Sequence, residues 1–183
     1  MAKPNDPKPN TETTAYGETT IWRTVINAPI DVVWSTLVKT DEVLPFFFGA
    51  VCDTADGIKV GGKMRMISKD RKNAIVFGEV LEFSPPHRYS HTMSFTQVKG
   101  ERPARTTYEL KEVPGGTEFT LISEAMPGTE TGKMIQGGPF IVANLKALVE
   151  TGKPAFSGRM VLALNPIMGL MTPKISRIEN WPL

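Results

Sequence analysis

The sequence is poorest in cysteine and histidine, and this scarcity excludes several common kinds of site. The 183 residues include one cysteine, Cys52, and two histidines, His87 and His91. A single cysteine excludes an intramolecular disulfide and any zinc site built from several cysteines. We therefore expect no metal and no cofactor, and we expect Cys52 to pack as a small buried hydrophobic residue.

Long apolar runs are lacking as well. The longest, residues 160–171, has nine apolar residues in twelve and is interrupted by Pro166, whereas a membrane-spanning helix needs about 20. Residues 1–17 contain no apolar stretch, so we expect no signal peptide there, and their Pro, Asn and Thr content predicts a disordered tail. Together these features predict a cytoplasmic protein.

Neither sign of charge is in large excess. The net charge of +2 is too small to indicate nucleic-acid binding, so no nucleic-acid partner is expected. Its distribution is uneven: residues 1–17 carry no net charge, residues 18–152 carry −1, and residues 153–183 carry +3. We therefore divide the chain into a tail (1–17), one domain (18–152) and a basic, apolar C-terminal extension (153–183).

What the sequence does contain is the composition of a globular domain, with 40% hydrophobic and 22% charged residues. A β-branched run over residues 19–27 predicts a strand, and Pro29 suits the start of the helix that follows. The apolar face of that helix would consist of Val33, Trp34, Leu37 and Val38. Thr40 suits the N-cap of a second short helix ending at residues 46–49.

Alternating apolar residues then predict a run of antiparallel strands. The predicted inward-facing positions are Met64 and Met66; Ile75, Phe77, Glu79, Leu81 and Phe83; Tyr89, His91, Met93 and Phe95; Thr106, Tyr108 and Leu110; and Phe119 and Leu121. Helical spacing returns over residues 133–152, where Ile141, Leu145 and Leu148 would face the sheet and Gly152 would end the helix. A single long helix must bury its apolar face against that sheet, which predicts an α+β domain.

Several short motifs in this order resemble one known superfamily. They are Ile26-Asn27-Ala28-Pro29, Phe47-Phe48-Gly49, Gly61-Gly62-Lys63-Met64, Gly78-Glu79-Val80-Leu81, Gly115-Gly116-Thr117 and Gly137-Gly138-Pro139-Phe140. From about Thr19 to Gly152 the chain resembles START-like, helix-grip (SRPBCC) proteins, in the branch related to the activator of the 90-kDa heat-shock protein ATPase. The resemblance implies a Bet v 1-like fold: a curved antiparallel sheet around a long C-terminal helix, with two short helices after the first strand. It also implies an apolar ligand held between sheet and helix.

The candidate ligand site combines the predicted inward positions. It comprises Met64, Met66, Phe77, Glu79, Tyr89, His91, Met93, Phe95, Tyr108, Phe119 and Leu145. His91 and Tyr108 would supply polar contacts, although the favoured alternative for His91 is a bond to a backbone carbonyl or to Tyr108 at the cavity rim. Glu79 would be either a ligand anchor or the partner of an arginine, because a buried carboxylate must be paired or neutral. At least one residue of the Phe46–Phe48 triplet should lie at the cavity mouth.

Three functions fit these features. The leading hypothesis is non-enzymatic binding of a small apolar or amphipathic molecule, and no catalytic residue is assigned because no known catalytic motif is present. The second is a cyclase/aromatase- or hydrolase-type enzyme that uses His91 or Glu79 as acid or base in the same cavity. The third is an interaction module that regulates a chaperone ATPase.

The C-terminal extension lies outside the resemblance. Asn165-Pro166 and Thr172-Pro173 each suit the start of a short helix. The apolar residues Leu162, Leu164, Ile167, Met168, Leu170 and Met171 would pack over the core, form a homodimer through residues 158–171, or attach to an anionic membrane. Packing over the core is the favoured alternative and membrane attachment the least favoured.

Overall fold

One curved antiparallel sheet dominates the computed structural model, which describes residues 13–169 and 172–183. Its nine strands among these residues are β1 (Thr13–Thr14), β2 (Gly17–Ile26), β3 (Val43–Leu44), β4 (Ala50–Thr54), β5 (Lys63–Ile67), β6 (Ala74–Ser84), β7 (Arg88–Phe95), β8 (Ala104–Val113) and β9 (Gly116–Ala125). They lie in the order β1-β2-β9-β8-β7-β6-β5-β4-β3.

The helices cover the concave face and one end of this sheet. They are α1 (Ile30–Leu37), α2 (Glu130–Met134), α3 (Gly138–Thr151) and α4 (Phe156–Gly169), with 3-10 turns at Ile135–Gly137, Lys174–Ser176 and Ile178–Asn180. Leu145 of α3 is fully buried against the sheet, and Ile141 is nearly so. The predicted α+β helix-grip fold is therefore confirmed. No helix among the described residues is both long and apolar enough to cross a membrane.

The first predicted helix is present and the second is not. Pro29 is the N-cap of α1, whose buried face is formed by Ile30, Val33, Trp34 and Leu37. After α1, Asp41 has a left-handed φ of 62°, which interrupts any helix, and β3 follows as a two-residue strand paired with β4. The segment ending at residues 46–49 is thus an edge strand followed by a tight turn, and the helix predicted after Thr40 is wrong.

Strand β6 faces the opposite way from the prediction over most of its length. Val76 and Val80 are buried, whereas Ile75 and Glu79 are exposed. The register explains this, because Met64 and Met66 of β5 point inward and lie opposite Gly78 and Val76. Directly opposed residues of an antiparallel pair share one face of the sheet. A register shift between Val80 and Glu82 then changes the alternation, and Phe83 packs against the core.

The helical segment over residues 133–152 is divided into three pieces. Helix α2, a 3-10 turn and α3 succeed one another, and Pro139 lies in the first turn of α3, where its missing N–H is not needed. Gly138 is required at this junction because a Cβ atom there would lie 2.3 Å from the Trp22 ring. Gly152 ends α3 in the left-handed conformation, as predicted.

The two ends of the chain differ from their predictions. Residues 13–17, assigned to the tail, form a hairpin in which Thr13 pairs with Glu18, while residues 1–12 lie outside the described residues. In the extension, α4 begins at Phe156 and continues through Asn165-Pro166, so no new helix starts there. Pro173 does precede a 3-10 turn, as its N-cap. Leu170 and Met171 lie outside the described residues.

Residues 172–183 pack on the outer face of the sheet. The Arg65 guanidinium donates to the Trp181 carbonyl at 2.6 Å and to the Asp53 carboxylate at 2.6 Å. The Trp181 ring lies 5.6 Å from the Phe77 ring, and Asn73 forms an isolated bridge with Arg177. This C-terminal segment therefore covers β5 and β6 on the side away from α3.

Candidate functional site

A small cavity lies on the inner face of the sheet, near the end of α1. Its volume is about 20 Å³, and its polar lining consists of Cys52, Tyr89, His91 and Tyr108. Its apolar lining consists of Leu37, Leu44, Phe46, Phe47, Ile58, Met64 and Met66. A space of this size accommodates one water-sized group.

Three aromatic rings form the polar wall of this cavity. Tyr89 on β7 lies directly opposite Tyr108 on β8, and His91 lies two residues further along β7. The ring centroids are 5.1 Å apart for Tyr89 and His91, 5.7 Å for Tyr89 and Tyr108, and 5.9 Å for His91 and Tyr108. The strict alternation of β7 brings Tyr89 and His91 to one face, and cross-strand pairing adds Tyr108.

His91 is a neutral imidazole in the folded protein. Its side chain is 2% exposed, and this burial lowers its pKa from 6.5 to about 4. Nδ1 lies 3.0 Å from the Thr92 carbonyl oxygen, which can only accept, so we assign the single ring proton to Nδ1. The Nε2 atom is then the acceptor of the ring, so His91 forms the predicted bond to a backbone carbonyl and keeps an acceptor atom on its other side.

The Tyr89 hydroxyl is buried without a hydrogen-bond partner among the described residues. Tyr89 is 4% exposed, and burial raises the pKa of its hydroxyl well above the ordinary value. A buried hydroxyl is costly when it is unpaired, so such a group requires an explanation in a folded protein. Tyr89 lines the cavity, so the side chain that carries this unpaired hydroxyl is part of the cavity wall.

Cys52 lies in the same cavity as His91 but lacks the character of a nucleophile. Burial, with the nearby carboxylates of Asp53 and Asp41, raises the pKa of its thiol to about 12. A reactive cysteine needs an environment that lowers this pKa, since the thiolate is the attacking species. The cavity therefore keeps both Cys52 and His91 uncharged. Elsewhere too, no group of three or more potential metal-ligating side chains occurs among residues 13–169 and 172–183.

The structure divides the predicted site residues into three groups. Met64, Met66, Tyr89, His91 and Tyr108 line the cavity. Met93, Phe95, Phe119 and Leu145 are buried in the surrounding core and do not line it. The inward placement of Phe77 and Glu79 is wrong: Phe77 contacts Trp181 on the outer face, and Glu79 is exposed there.

Sequence reasoning missed four residues of the cavity lining. These residues share no periodicity, because each comes from a different element. They are Leu37 at the end of α1, Leu44 in β3, Cys52 in β4 and Ile58 in a loop. At least one residue of the Phe46–Phe48 triplet was expected at the cavity mouth, and two of them, Phe46 and Phe47, line the cavity. Helix α3 contributes no lining residue, so the cavity lies beside α1 and the 44–47 turn.

An open groove of about 310 Å³ lies next to this cavity. It is lined by Thr36, Lys39, Glu42, Val43, Leu44, Pro45, Phe46 and Leu148. Leu148 is on α3, so the groove runs between the ends of α1 and α3 and the edge of the sheet. The Lys39 ammonium and the Glu42 carboxylate form an exposed ion pair of 3.0 Å at its rim.

Comparison with known proteins finds a family and several solved structures to which this chain is similar. The sequence profile of the family described as "Activator of Hsp90 ATPase homolog 1-like protein" matches residues 27–150. Protein CV1439 from Chromobacterium violaceum is 26% identical with a TM-score of 0.54, over 72% of this chain and 96% of the other. A search of curated proteins finds no match.

Two further solved structures support the fold. CalU16 from Micromonospora echinospora is 18% identical with a TM-score of 0.61, over 88% of this chain and 92% of the other. PFC0360w, an HSP90 activator from Plasmodium falciparum, is 19% identical with a TM-score of 0.57, over 75% of this chain and 99% of the other. At these identities the likeness concerns the fold alone.

Proposed function

This chain belongs to the activator of Hsp90 ATPase homolog 1-like family, and we propose that within this helix-grip fold it binds one small, uncharged amphipathic molecule, without catalysis. The binding site is the cavity lined by Tyr89, His91 and Tyr108. The observation that carries the proposal is the hydroxyl of the cavity-lining Tyr89, which is buried with no hydrogen-bond partner in the part of the chain that the structure describes. A ligand hydroxyl or carbonyl would supply that partner and remove the cost of burying it.

The electrostatics favour a neutral ligand. Burial lowers the pKa of His91 and raises the pKa of Cys52, so neither side chain offers a charge to pair with. An ionised ligand would leave water without a compensating ion pair, which is strongly unfavourable. Recognition would therefore rest on apolar contact and on hydrogen bonds to Tyr89 and the His91 Nε2 atom.

The enzymatic alternative requires His91 or Glu79 as the acid or base in the cavity. Glu79 is exposed on the outer face of β6 and cannot act in the cavity. An acid–base mechanism would have to combine His91 with a tyrosine hydroxyl, and burial raises the pKa of both Tyr89 and Tyr108 above the ordinary value. Such hydroxyls are better suited to donating a hydrogen bond than to exchanging a proton.

The test is the affinity for 2-naphthol, with naphthalene as the matched ligand that lacks the hydroxyl. We expect Tyr89→Phe to weaken 2-naphthol binding about ten-fold and to leave naphthalene binding unchanged, because only the hydroxylated ligand loses a partner. Fluorescence titration measures both affinities. Tyr16→Phe, which removes a tyrosine hydroxyl near Arg105 on the outer face, is the control variant.

A thermal melt without ligand completes this test. Because the Tyr89 hydroxyl has no partner, Tyr89→Phe should melt at or above the wild-type temperature. A lower melting temperature would indicate that the hydroxyl stabilises the fold. Equal affinity of wild type and Tyr89→Phe for 2-naphthol, or no binding at all, would contradict the proposed function.

A further inference from the structure

Two side chains separate the buried cavity from the open groove, and we propose that they form a gate through which the ligand enters. Leu44 and Phe46 line both spaces, and both are at most 3% exposed. The aromatic wall with the Tyr89 hydroxyl lies behind them, and solvent lies in front. This inference rests on the proposed function, since it concerns the route to the same site.

Some part of the wall must move for the site to be used. The cavity of about 20 Å³ has room for one water-sized group, whereas small-molecule sites have roughly 300–1,000 Å³. The groove of about 310 Å³ reaches the lower end of that range. A ligand in the groove reaches the Tyr89 hydroxyl only if the partition between groove and cavity is displaced.

The partition is carried by the most weakly attached strand bordering the cavity. Strand β3 is the last in the sheet and pairs only with β4, through Val43 with Val51 and Leu44 with Ala50. The strands that carry Met64, His91 and Tyr108 are each paired on both sides. Moving β3 and its turn therefore breaks fewer strand hydrogen bonds than moving any other strand that lines the cavity.

The backbone around the gate is suited to a change of conformation. Asp41 before it and Phe48 after it both have positive φ, 62° and 53°, which non-glycine residues rarely adopt. Within the turn, the Leu44 carbonyl accepts from the backbone N–H groups of Phe47 and Gly49, so the turn is bonded to itself. It can therefore move as a unit between the strained positions at its two ends.

One aromatic stack holds the gate closed from outside. The Phe48 ring lies 4.3 Å from the Phe140 ring of α3, with 7° between their planes. Gly137 leaves room for this contact, since a Cβ atom there would lie 3.1 Å from the Phe48 ring. The stack connects the turn to the helix on the opposite side of the groove.

The two spaces together define the ligand class. Val43, Pro45 and Leu148 give the groove apolar walls, and the inner end offers neutral phenol and imidazole groups. The Lys39–Glu42 pair at the rim has no net charge. The ligand is thus an elongated, largely apolar molecule with an uncharged hydroxyl or carbonyl at its leading end.

Stopped-flow binding of 2-naphthol tests the gate. Phe46→Ala removes most of the partition, so we expect its association rate constant to rise about ten-fold, because gate opening no longer limits entry. Phe46→Leu, which is less disruptive, should give a smaller rise in the same direction. Leu110→Ala is the matched control: it also truncates a buried side chain, but one that lines neither space.

The outcomes separate the gate from the proposed function. An unchanged association rate in both Phe46 variants, or an equal rise in Leu110→Ala, would overturn the gate. If Tyr89→Phe still weakened 2-naphthol binding in that case, the proposed function would stand alone. If no variant and no wild-type protein bound 2-naphthol, both would fail.

Discussion

At the scale of single residues, the cavity collects ionisable groups and holds each in its neutral form. Burial lowers the pKa of the His91 imidazole, and it raises the pKa of the Cys52 thiol and of both tyrosine hydroxyls. The charged residues lie elsewhere, as in the pair of Asp53 and Arg65 on the outer face. A ligand bound here would be selected by hydrogen-bond geometry, because the cavity offers no charge to attract an ion.

The pKa of His91 predicts a loss of stability in mild acid. In the unfolded chain the imidazole takes up its proton near pH 6.5, whereas in the folded chain it stays neutral down to about pH 4. Between these values the unfolded state binds more protons, so the free energy of unfolding falls as the pH falls. The difference, complete below pH 4, is about 3 kcal/mol for a pKa lowered by this amount.

Urea unfolding between pH 7 and pH 4.5 measures this effect. The wild-type chain should lose more stability across this range than His91→Gln, which has no imidazole to protonate. His87→Gln, at an exposed histidine, controls for the removal of a histidine as such. If the free energy of unfolding depends on pH equally in the wild type and in His91→Gln, His91 does not cause the loss of stability in acid.

At the scale of elements, α3 is the main covering of the sheet, and its burial can be tested at one position. Leu145 is 0% exposed and belongs to the main core cluster. We expect Leu145→Ala to lower the free energy of unfolding by about 2–5 kcal/mol, because the truncation leaves a cavity in a packed core. Ala143, exposed on the opposite side of α3, provides the control in Ala143→Ser. If Leu145→Ala melts at the same temperature as the wild type, Leu145 of α3 is not buried against the sheet.

Elements could be predicted where one face alone is apolar. Strand β7 alternates Tyr89, His91, Met93 and Phe95 with polar residues, and all four are buried as predicted. Strand β6 has apolar residues on both faces, since Phe77 packs under Trp181 and Val76 packs in the core. Alternation cannot orient such a strand, and its register with β5 decides instead.

The candidate site could be predicted only in part, and for the same reason. Its aromatic wall comes from β7 and β8, whose alternation is clear, whereas Leu44 and Phe46 come from an edge strand and turn predicted as a helix. Thr40 and Asp41 do suit a helix start, but Asp41 adopts a left-handed φ that propensity does not anticipate. The part of the site that depends on tertiary contact was therefore missed.

At the scale of the whole molecule, the two halves of the C-terminal extension have different positions. Residues 172–183 are held on the sheet of their own chain, with the Trp181 carbonyl bonded to Arg65. Helix α4 packs on α3 through Gly158, where a Cβ atom would lie 2.1 Å from the Asn144 Oδ1 atom. Its other side presents Phe156, Met160 and Leu164, which are 68%, 49% and 48% exposed.

The homodimer through residues 158–171 stays a prediction, and this exposed side of α4 is where it can be tested. Phe156, Met160 and Leu164 are spaced four residues apart, so they form one apolar stripe along the helix, and contiguous exposed apolar surface is typical of protein interfaces. The double variant Met160→Glu, Leu164→Glu should convert a dimer into a monomer in light scattering, because burying two carboxylates in an apolar contact is strongly unfavourable. Val60→Glu, at a 64% exposed valine far along the chain, should leave the mass unchanged. A wild-type chain that is already monomeric at high concentration would show that the stripe has no partner in a second copy.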